Sequence, residues 1–464
     1  MAASSKLRFP PGPSDGLRRF SLGPLNNGDP LGYFTKIIHD YGDFVGLRIV
    51  NFRILLINHP DQIEDVLVTH PRKFTKGRVL QANKRVFGNG LLLSDGDFWL
   101  RQRRLVQPAF HRARIATYAS TMVEFTERFL QDWRDGDERD IHADMMGLTL
   151  QIVGKTLFDA DVARDAGDVG KSLELLLNLG ADFRRTVLIP HWIPTPTNIR
   201  IELAIRQIEK ILYRIIAEKR ASGRDAGDLL SMLLAAQDDD GSRMTDRQLR
   251  DEAITLFLAG HETTASALSW TWWLLAQNPA VENKLHAEVD SVLAGRAPSL
   301  DDLSRLPYTN NVLTESLRLY PPAWGTARTA LEDHEIAGYS VPKGSGVSFA
   351  QWTVHRDPRW YDAPETFRPE RWEGDLLKRI PRFAYFPFGG GPRQCIGNSF
   401  ALMEAAIILA TIAQRYRFRL NPNHPVIPLA SITLRPKHGI RVILEARSAQ
   451  SSPALLRVSA QSVA

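Results

Sequence analysis

The longest helical pattern in the chain lies between a capping signal at Thr245 and a break at Asn278. Thr245 and Gln248 have the spacing of a capping box, and Asn278 followed by Pro279 ends this segment and begins the next one. The 32 residues between Thr245 and Asn278 would form a helix about 48 Å long. Residues 254–259 are apolar on nearly every side, which predicts that the middle of this helix is buried.

Shorter patterns predict the other elements. Residues 42–58 alternate apolar and polar side chains on either side of Asn51, which predicts a hairpin of two strands. Helices are predicted for residues 60–70 and 308–319 and for most of 115–222, where a proline-rich loop at 190–196 interrupts the pattern. The apolar run 400–409 predicts a buried helix.

Composition narrows the class of protein. A hydrophobic content of 44% and a charged content of 24% are typical of a globular protein with ample core. The formal charge of +6 is mild for 464 residues, and no basic stripe with interleaved aromatic residues suggests a nucleic-acid surface. Only residues 1–8 precede the proline-rich stretch that begins at Phe9, too few for a hydrophobic anchor, so we expect no membrane anchor and a cytoplasmic location.

Cys395 is the only cysteine of the chain, which excludes an internal disulfide and a thiolate-rich metal cluster. It lies between the glycine-rich residues 388–391 and the apolar run 400–409. A thiol before a helix is biased toward thiolate by the unpaired amides and the helix dipole. Two other interpretations are a small core residue and a phosphate-binding loop, although the Lys-Ser/Thr ending of such a loop is missing.

The segment Phe388-Gly-x-Gly-x-Arg393-x-Cys395-x-Gly397 resembles the haem-binding signature of the cytochromes P-450. The resemblance implies that Cys395 is the axial thiolate of a b-type haem, and that Phe388 and Arg393 contact the cofactor. A thiolate in that position donates electron density to iron and favours cleavage of the O–O bond.

A second motif lies in the middle of the long predicted helix, at residues 259–264. Glycine and neighbouring threonines are poor choices for the centre of a buried helix, and a kink without chemistry is the alternative interpretation. The segment is similar to the family's Ala/Gly-Gly-x-Asp/Glu-Thr-Thr motif. This implies that Thr263 hydrogen-bonds dioxygen, that Glu262 relays protons from solvent, and that Gly260 makes room for oxygen. We assign no role to His261. One expectation is that it lies on the surface.

Two further motifs are typical of the family. Trp99 and Arg103 lie four residues apart, on one helix face, and an indole N–H and a guanidinium are good donors to a carboxylate. The alternative is a solvated basic face. The resemblance implies that both residues hold a haem propionate, as does Arg328. It also implies a buried structural triad of three residues, Glu315, Arg318 and Arg371.

The resemblance predicts a mainly α cytochrome P-450 fold, with a helical body and a smaller β region near the N-terminus. We expect a single monooxygenase domain over 1–464, with flexible tails at about 1–8 and 447–464, and a monomer. No flavin- or iron–sulfur-carrying segment fits, so electrons are expected from a ferredoxin or flavodoxin with its reductase. The basic residues 101, 104, 378, 379 and 382 would face that partner.

The substrate is expected to be a lipophilic small molecule that receives one oxygen atom of O2. Fatty acids or terpenoids are the first expectation, and steroid-like molecules fit equally well. Two rival functions are a haem-thiolate enzyme that uses peroxide or rearranges an oxygenated lipid, and a haem-binding sensor or carrier. The predicted pocket residues are apolar: Phe257, Ala259, Ala323, Trp324, Ala430 and Ile432.

Overall fold

The computed structural model describes residues 8–13, 29–49, 52–81, 83–160, 193–223, 227–236 and 243–447, together with positions 170, 172, 175, 176 and 241. The first part of the predicted loop at 190–196, and the predicted tails except Arg8 and Arg447, lie outside these residues. Arg447 is held by Asp290, 2.6 Å from its guanidinium.

Helices form most of the described structure, as the patterns predict. The α-helices are α1 (Pro30–Tyr41), α2 (Pro60–Glu64), α3 (Arg78–Gln81), α4 (Lys84–Phe87), α5 (Gly96–Val106), α6 (Arg112–Phe129), α7 (Ile141–Phe158), α8 (Pro196–Ser222), α9 (Leu229–Ala235), α10 (Asp246–Gln277), α11 (Pro279–Leu293), α12 (Pro307–Leu319), α13 (Gln351–Val354), α14 (Leu376–Arg379) and α15 (Asn398–Ala413).

The capping signals that bound the longest helix are confirmed. Thr245 and Gln248 form the complete capping box at the start of α10, which runs for 32 residues to Gln277. Its residues from Leu249 to Leu275 are almost all buried, and α7 and α12 pack along it. The segment 60–70 differs from its predicted single helix. A short α-helix ends at Glu64 and continues as the π-helical turn Asp65–Thr69.

The strands are β1 (Phe44–Ile49), β2 (Phe52–Ile57), β3 (Phe74–Lys76), β4 (Glu138–Asp140), β5 (Thr326–Ala330), β6 (His334–Ile336), β7 (Tyr339–Val341), β8 (Gly346–Phe349), β9 (Tyr416–Leu420), β10 (Pro428–Ala430), β11 (Leu434–Pro436) and β12 (Arg441–Ala446).

The predicted hairpin is confirmed, since β1 pairs with β2 antiparallel and Phe44 lies opposite Ile57. The largest sheet has the order β1-β2-β8-β5-β3, so it joins N-terminal strands to strands from residues 326–349. A three-stranded sheet has the order β4-β12-β9, and β6–β7 and β10–β11 form two further pairs. The β region is therefore the smaller part, as predicted, but is not confined to the N-terminus.

None of the described helices combines the length and the apolar character that a bilayer crossing requires.

Candidate active site

A cavity of about 180 Å³ separates the middle of α10 from the loop that carries Cys395. Cys395 lies on one wall and Thr263 on another, so the predicted axial ligand and the predicted oxygen-site threonine open into the same space. The lining is almost entirely apolar: Phe110, Leu157, Leu256, Ala259, Gly260, Thr263, Thr264, Ala267, Leu313, Leu317, Pro322, Ala323, Pro387, Phe388, Cys395, Ile396, Gly397, Phe400, Ala401, Leu402 and Ala405.

The loop before α15 directs the Cys395 thiol into the cavity. The Cys395 N–H donates to the Phe388 carbonyl at 3.0 Å, which closes the loop. Gly391 has φ +67°, and a Cβ there would lie 1.9 Å from the Leu67 carbonyl oxygen. Only glycine therefore allows the loop to approach the π-helical turn this closely. The thiol that results is accessible from the cavity, although protein surrounds it on its other sides.

Burial raises the pKa of the Cys395 thiol above its ordinary value. The Gly397 N–H and the Arg103 charge act in the opposite direction and are the smaller effects. The sequence argument that amides and the helix dipole favour thiolate is therefore outweighed by burial. Ligation to a metal ion would act against this effect of burial, because a cation beside sulfur favours the thiolate.

The face of α10 that meets the cavity differs from the rest of this buried helix. Ala259 is exposed to the cavity, and Gly260 and Thr263 are half-exposed. Thr263 Oγ1 donates to the Ala259 carbonyl at 2.7 Å, and Thr264 Oγ1 donates to the Gly260 carbonyl at 3.1 Å. Such bonds take carbonyls from the regular helical pattern and favour a local bend.

Gly260 also serves the packing of helices. A Cβ at this position would lie 3.1 Å from Val153 Cγ2 on α7, so the missing side chain permits close approach of α7 and α10. His261 is fully buried rather than on the surface. Its Nδ1 lies 3.0 Å from the Phe257 carbonyl oxygen, and burial lowers its pKa to about 4, so its imidazole is neutral.

Glu262 lies beside Thr263 in the sequence but its carboxyl group points away from solvent. Its side chain is 3% exposed, and Thr433 Oγ1 donates to Glu262 Oε1 at 2.5 Å. Burial raises the pKa of Glu262, while Thr433 and the charge of Arg435 oppose that shift. The relay of protons by Glu262 stays a prediction, and its buried carboxyl group would need other groups to reach solvent. Thr433, which the sequence did not single out, is its hydrogen-bonding partner.

Three of the predicted propionate ligands meet beside the cavity. Arg103 Nη1 donates to the Gln394 carbonyl at 3.1 Å. The Arg393 guanidinium lies 4.3 Å from the centre of the half-buried Trp99 ring and also pairs with Asp95. Burial and the charge of Arg393 lower the pKa of Arg328 to about 10. The carboxylate of Asp95 acts in the opposite direction and is the smaller effect.

Lys76 completes this cationic cluster, and sequence reasoning missed it. It lies opposite Arg328 in the β3–β5 ladder and is 9% exposed. Burial and the charges of Arg328, Arg393 and Arg103 hold the pKa of Lys76 well below its usual value. Asp95 pairs with Arg393 and acts electrostatically on Lys76 and Arg328, while Arg103 acts on Lys76. One carboxylate among four basic side chains leaves an excess of positive charge suited to an anionic ligand edge. Only knowledge of the strand pairing would have revealed Lys76.

The predicted structural triad forms one connected, buried network. Both oxygens of Glu315 accept from Arg318 at 2.8 Å, and Arg371 Nε donates to Glu315 Oε1 at 2.8 Å. Glu315 and Arg318 are fully buried. Arg318 also donates to the His355 carbonyl, and His355 Nε2 accepts from the Phe386 N–H at 3.0 Å. The network therefore reaches the segment that leads into the cysteine loop.

The predicted pocket residues divide into two groups. Ala259 and Ala323 line the cavity. Phe257 does not, because it is buried against Phe158 of α7 at a ring-centroid distance of 5.7 Å. The cavity face of α10 instead carries Leu256, seven residues before Thr263, which is two helical turns. The helical spacing already contained that signal.

The other three predicted pocket residues lie apart from the described cavity. Trp324 Nε1 donates to the Ser431 carbonyl at 2.9 Å, and Ala430 packs with Trp324 around buried Leu31 and Leu434. Ile432 packs against the main core. These three residues do not line the cavity that contains Cys395 and Thr263 among the described residues.

Asp251 and Glu252 are a further pair that sequence reasoning missed. Asp251 Oδ2 accepts from the Asn89 N–H at 2.8 Å, and Glu252 Oε2 accepts from the Leu91 N–H at 2.9 Å. Burial raises the pKa of Glu252 to about 7. Two adjacent carboxyl groups of α10 thereby hold the segment before α5 against the helix that forms the cavity wall.

Known proteins of one family match this chain over nearly its whole length. The family model described as Cytochrome P450 matches residues 10–443. Cyclooctatin synthase from Streptomyces melanosporofaciens is 41% identical over 408 residues, covering 86% of this chain and 88% of that protein. Pentalenene oxygenase from Streptomyces avermitilis is 35% identical over 421 residues, covering 90% of this chain and 93% of that protein. The crystal structure of the cytochrome P450DA heme domain has a TM-score of 0.86 at 27% identity, covering 96% of this chain and 99% of that chain.

Proposed function

This chain belongs to the cytochrome P450 family, and on that premise we propose that it inserts one oxygen atom of O2 into a terpenoid. As a haem-dependent monooxygenase, it uses O2, a lipophilic substrate and electrons from a redox partner. We propose haem b as the form of its cofactor. The observation that carries the proposal is the apolar cavity into which both Cys395 and Thr263 open.

The described residues fit haem b at three places. Cys395 offers a single sulfur to a metal ion, the apolar cavity walls suit a flat porphyrin, and the cluster of Lys76, Arg328, Arg393 and Arg103 suits two propionates. We propose that Trp99 and Phe388 contact the same cofactor. When bound, haem supplies the activation of dioxygen and the oxidation of the substrate.

The chain's own residues hold and move protons on the opposite wall. We propose that Thr263 hydrogen-bonds dioxygen and orders water, for which its Oγ would turn from the Ala259 carbonyl toward the cavity. Glu262 is held by Thr433, and burial raises its pKa, which favours the protonated carboxyl group more than in an exposed glutamate. In the proposed relay, a proton passes from Glu262 to water ordered by Thr263.

The cavity chemistry favours a neutral terpenoid over a fatty acid. Among the described residues that line the cavity, none carries a charge that would pair with a substrate carboxylate. Arg328 and Lys76 are cations near the cavity, and the proposal commits both to the cofactor. Two relatives have names that refer to terpenoids, namely cyclooctatin and pentalenene. A carbocyclic hydrocarbon or alcohol satisfies an uncharged wall without leaving a buried charge unpaired.

We propose that a separate ferredoxin or flavodoxin supplies the electrons and that the protein acts as a cytoplasmic monomer. Arg104, Lys378, Arg379 and Arg382 are exposed, and Arg393, which follows Arg382 by eleven positions, belongs to the cysteine loop. Their positive charge would attract an acidic partner and raise its association rate at low ionic strength.

The test combines binding with turnover. The purified holoprotein is titrated with cyclic terpenes, terpene alcohols and long-chain fatty acids while the Soret band is followed. Compounds that shift the band are then incubated with NADPH, ferredoxin and ferredoxin reductase under ¹⁸O₂. We expect terpenoids to shift the band and to gain one ¹⁸O atom. Turnover with peroxide alone would favour the peroxide-using alternative, and fatty-acid shifts without terpenoid shifts would refute the substrate assignment.

A further inference from the structure

A second group of metal-ligating side chains lies outside the cavity, where the π-helical turn Asp65–Thr69 meets the β6–β7 hairpin. Asp65 Oδ1 lies 2.7 Å from His70 Nδ1, and Asp65 Oδ2 lies 2.8 Å from His334 Nε2. One carboxylate oxygen and one nitrogen from each imidazole all lie within 4.8 Å of one another. Two loops that are distant in sequence thus direct three donor atoms toward one point.

The charge balance at this point favours a cation. The Asp65 side chain is only 25% exposed and the His334 side chain only 8%. Within the described part of the chain, Asp65 has ion pairs with His70 and His334 alone, and none with a lysine or arginine. The neighbouring Lys73 pairs with Glu332 at 3.2 Å instead. Among the described residues no lysine or arginine therefore pairs with the Asp65 carboxylate, and a divalent ion would supply the compensating charge.

The donor set is that of a zinc site with an open coordination position, and a small outward movement would bring the spacing to that of such a site. Two imidazole nitrogens and a carboxylate oxygen are typical zinc ligands, with bonds of about 2.0–2.2 Å. Tetrahedral ligation at that length separates the donors by about 3.3–3.6 Å. The two Asp65–histidine pairs are slightly closer than this, and His70, whose side chain is 36% exposed, has room to rotate outward.

The surroundings hold the ligands in place. The His70 and His334 rings have their centroids 4.7 Å apart, and Phe74 packs edge-on against His334 at 5.5 Å. Leu67, in the same turn as Asp65, has its carbonyl against Gly391 of the cysteine loop. We propose that Asp65, His70 and His334 bind a zinc ion that ties the turn beneath the cysteine loop to the β6–β7 hairpin. Water would complete the coordination.

The test measures zinc bound by the tag-free holoprotein. Wild-type protein and variants are dialysed to equilibrium against buffered zinc ions, and bound zinc is determined by mass spectrometry. We expect one equivalent in the wild type, and at least ~10-fold weaker binding in His334→Gln and His70→Gln, because each loses one ligand. His39→Gln is the matched control, since His39 Nδ1 lies 3.2 Å from the Asp40 carboxylate and has no other ion-pair partner in the described chain.

A thermal measurement excludes misfolding as the explanation. An unchanged Soret band without zinc shows that each variant folds around its cofactor. Added zinc should then raise the melting temperature of the wild type and of His39→Gln, but not of His70→Gln or His334→Gln. Equal zinc binding by all four proteins, or none by the wild type, would overturn the proposal.

Discussion

Replacement of Glu315 by glutamine tests the buried charge network that Glu315 forms with Arg318 and Arg371. The Glu315 carboxylate accepts five hydrogen bonds: two from Arg318 at 2.8 Å, and one each from Arg371 Nε at 2.8 Å, the Arg368 N–H at 3.0 Å and Trp372 Nε1 at 2.9 Å. Glutamine preserves the shape of the side chain but removes its charge. Its amide group would also place N–H donors against guanidinium N–H donors, so at least one bond is lost and another is replaced by repulsion.

The expected cost follows from the burial of the partners. Arg318 is fully buried, and the Arg371 side chain is 3% exposed, so neither charge would gain water when its carboxylate is removed. Breaking a buried pair on one side costs about 3–5 kcal/mol. This is a large part of the about 5–15 kcal/mol by which folded proteins are stable. The network also reaches the Phe386 N–H, so haem retention should fall together with stability.

The assay compares holoproteins heated in parallel, and records the temperature at which half of the Soret absorbance is lost. Lys284→Ala is the control. It removes an exposed ion pair with Glu370, whose carboxylate keeps its bond from Tyr308 Oη at 2.8 Å. We expect a large fall for Glu315→Gln and little change for the control, because exposed pairs contribute little. Equal half-loss temperatures for the two variants would refute the assignment of a stabilising role to the triad.

The remaining predictions concern the cavity and its walls. Cys395→Ala should lack the reduced carbon-monoxide Soret band of thiolate-ligated haem, and a normal band would refute the ligand. Thr263→Ala should retain haem but release several-fold more peroxide per NADPH, and unchanged coupling would refute the proton relay. Lys76→Met should lose haem to apomyoglobin several-fold faster than Lys73→Met, since Lys76 is buried in the cationic cluster; equal rates would exclude a propionate contact. Glu252 binds its proton more tightly in the folded state, with a pKa of about 7 against an ordinary 4.5. Its stabilising contribution is therefore present below pH 4.5 and is lost as pH rises toward 7. The free energy of unfolding of Glu252→Gln should lack that component of the pH dependence.

The elements around the site were predictable where the signal is local. The capping box at Thr245 fixes the start of α10, and the glycine-rich segment before Cys395 marks a loop followed by a buried helix. The cavity face of α10 also follows from helical spacing, which assigns Leu256 rather than Phe257 to the side of Thr263. The error at Phe257 came from using hydrophobicity without the helical phase.

Contacts between distant segments were not predictable in the same way. Lys76 joins Arg328 only because β3 pairs with β5, and Thr433 reaches Glu262 only because the C-terminal β10–β11 region packs beside α10. No local pattern encodes such a meeting. The thiol pKa of Cys395 shows a related limit, since the sequence shows the helix that follows but not the degree of burial, which decides the sign of the shift.

The accessible lone thiol allows the fraction of molecules without cofactor to be measured. In a molecule that lacks the cofactor, the sulfur faces the cavity, and we expect a small maleimide to alkylate it. In a loaded molecule, the proposed bond from sulfur to iron would protect it. Because the chain contains no second cysteine, the labelled fraction in native buffer counts incompletely assembled molecules without a background to subtract.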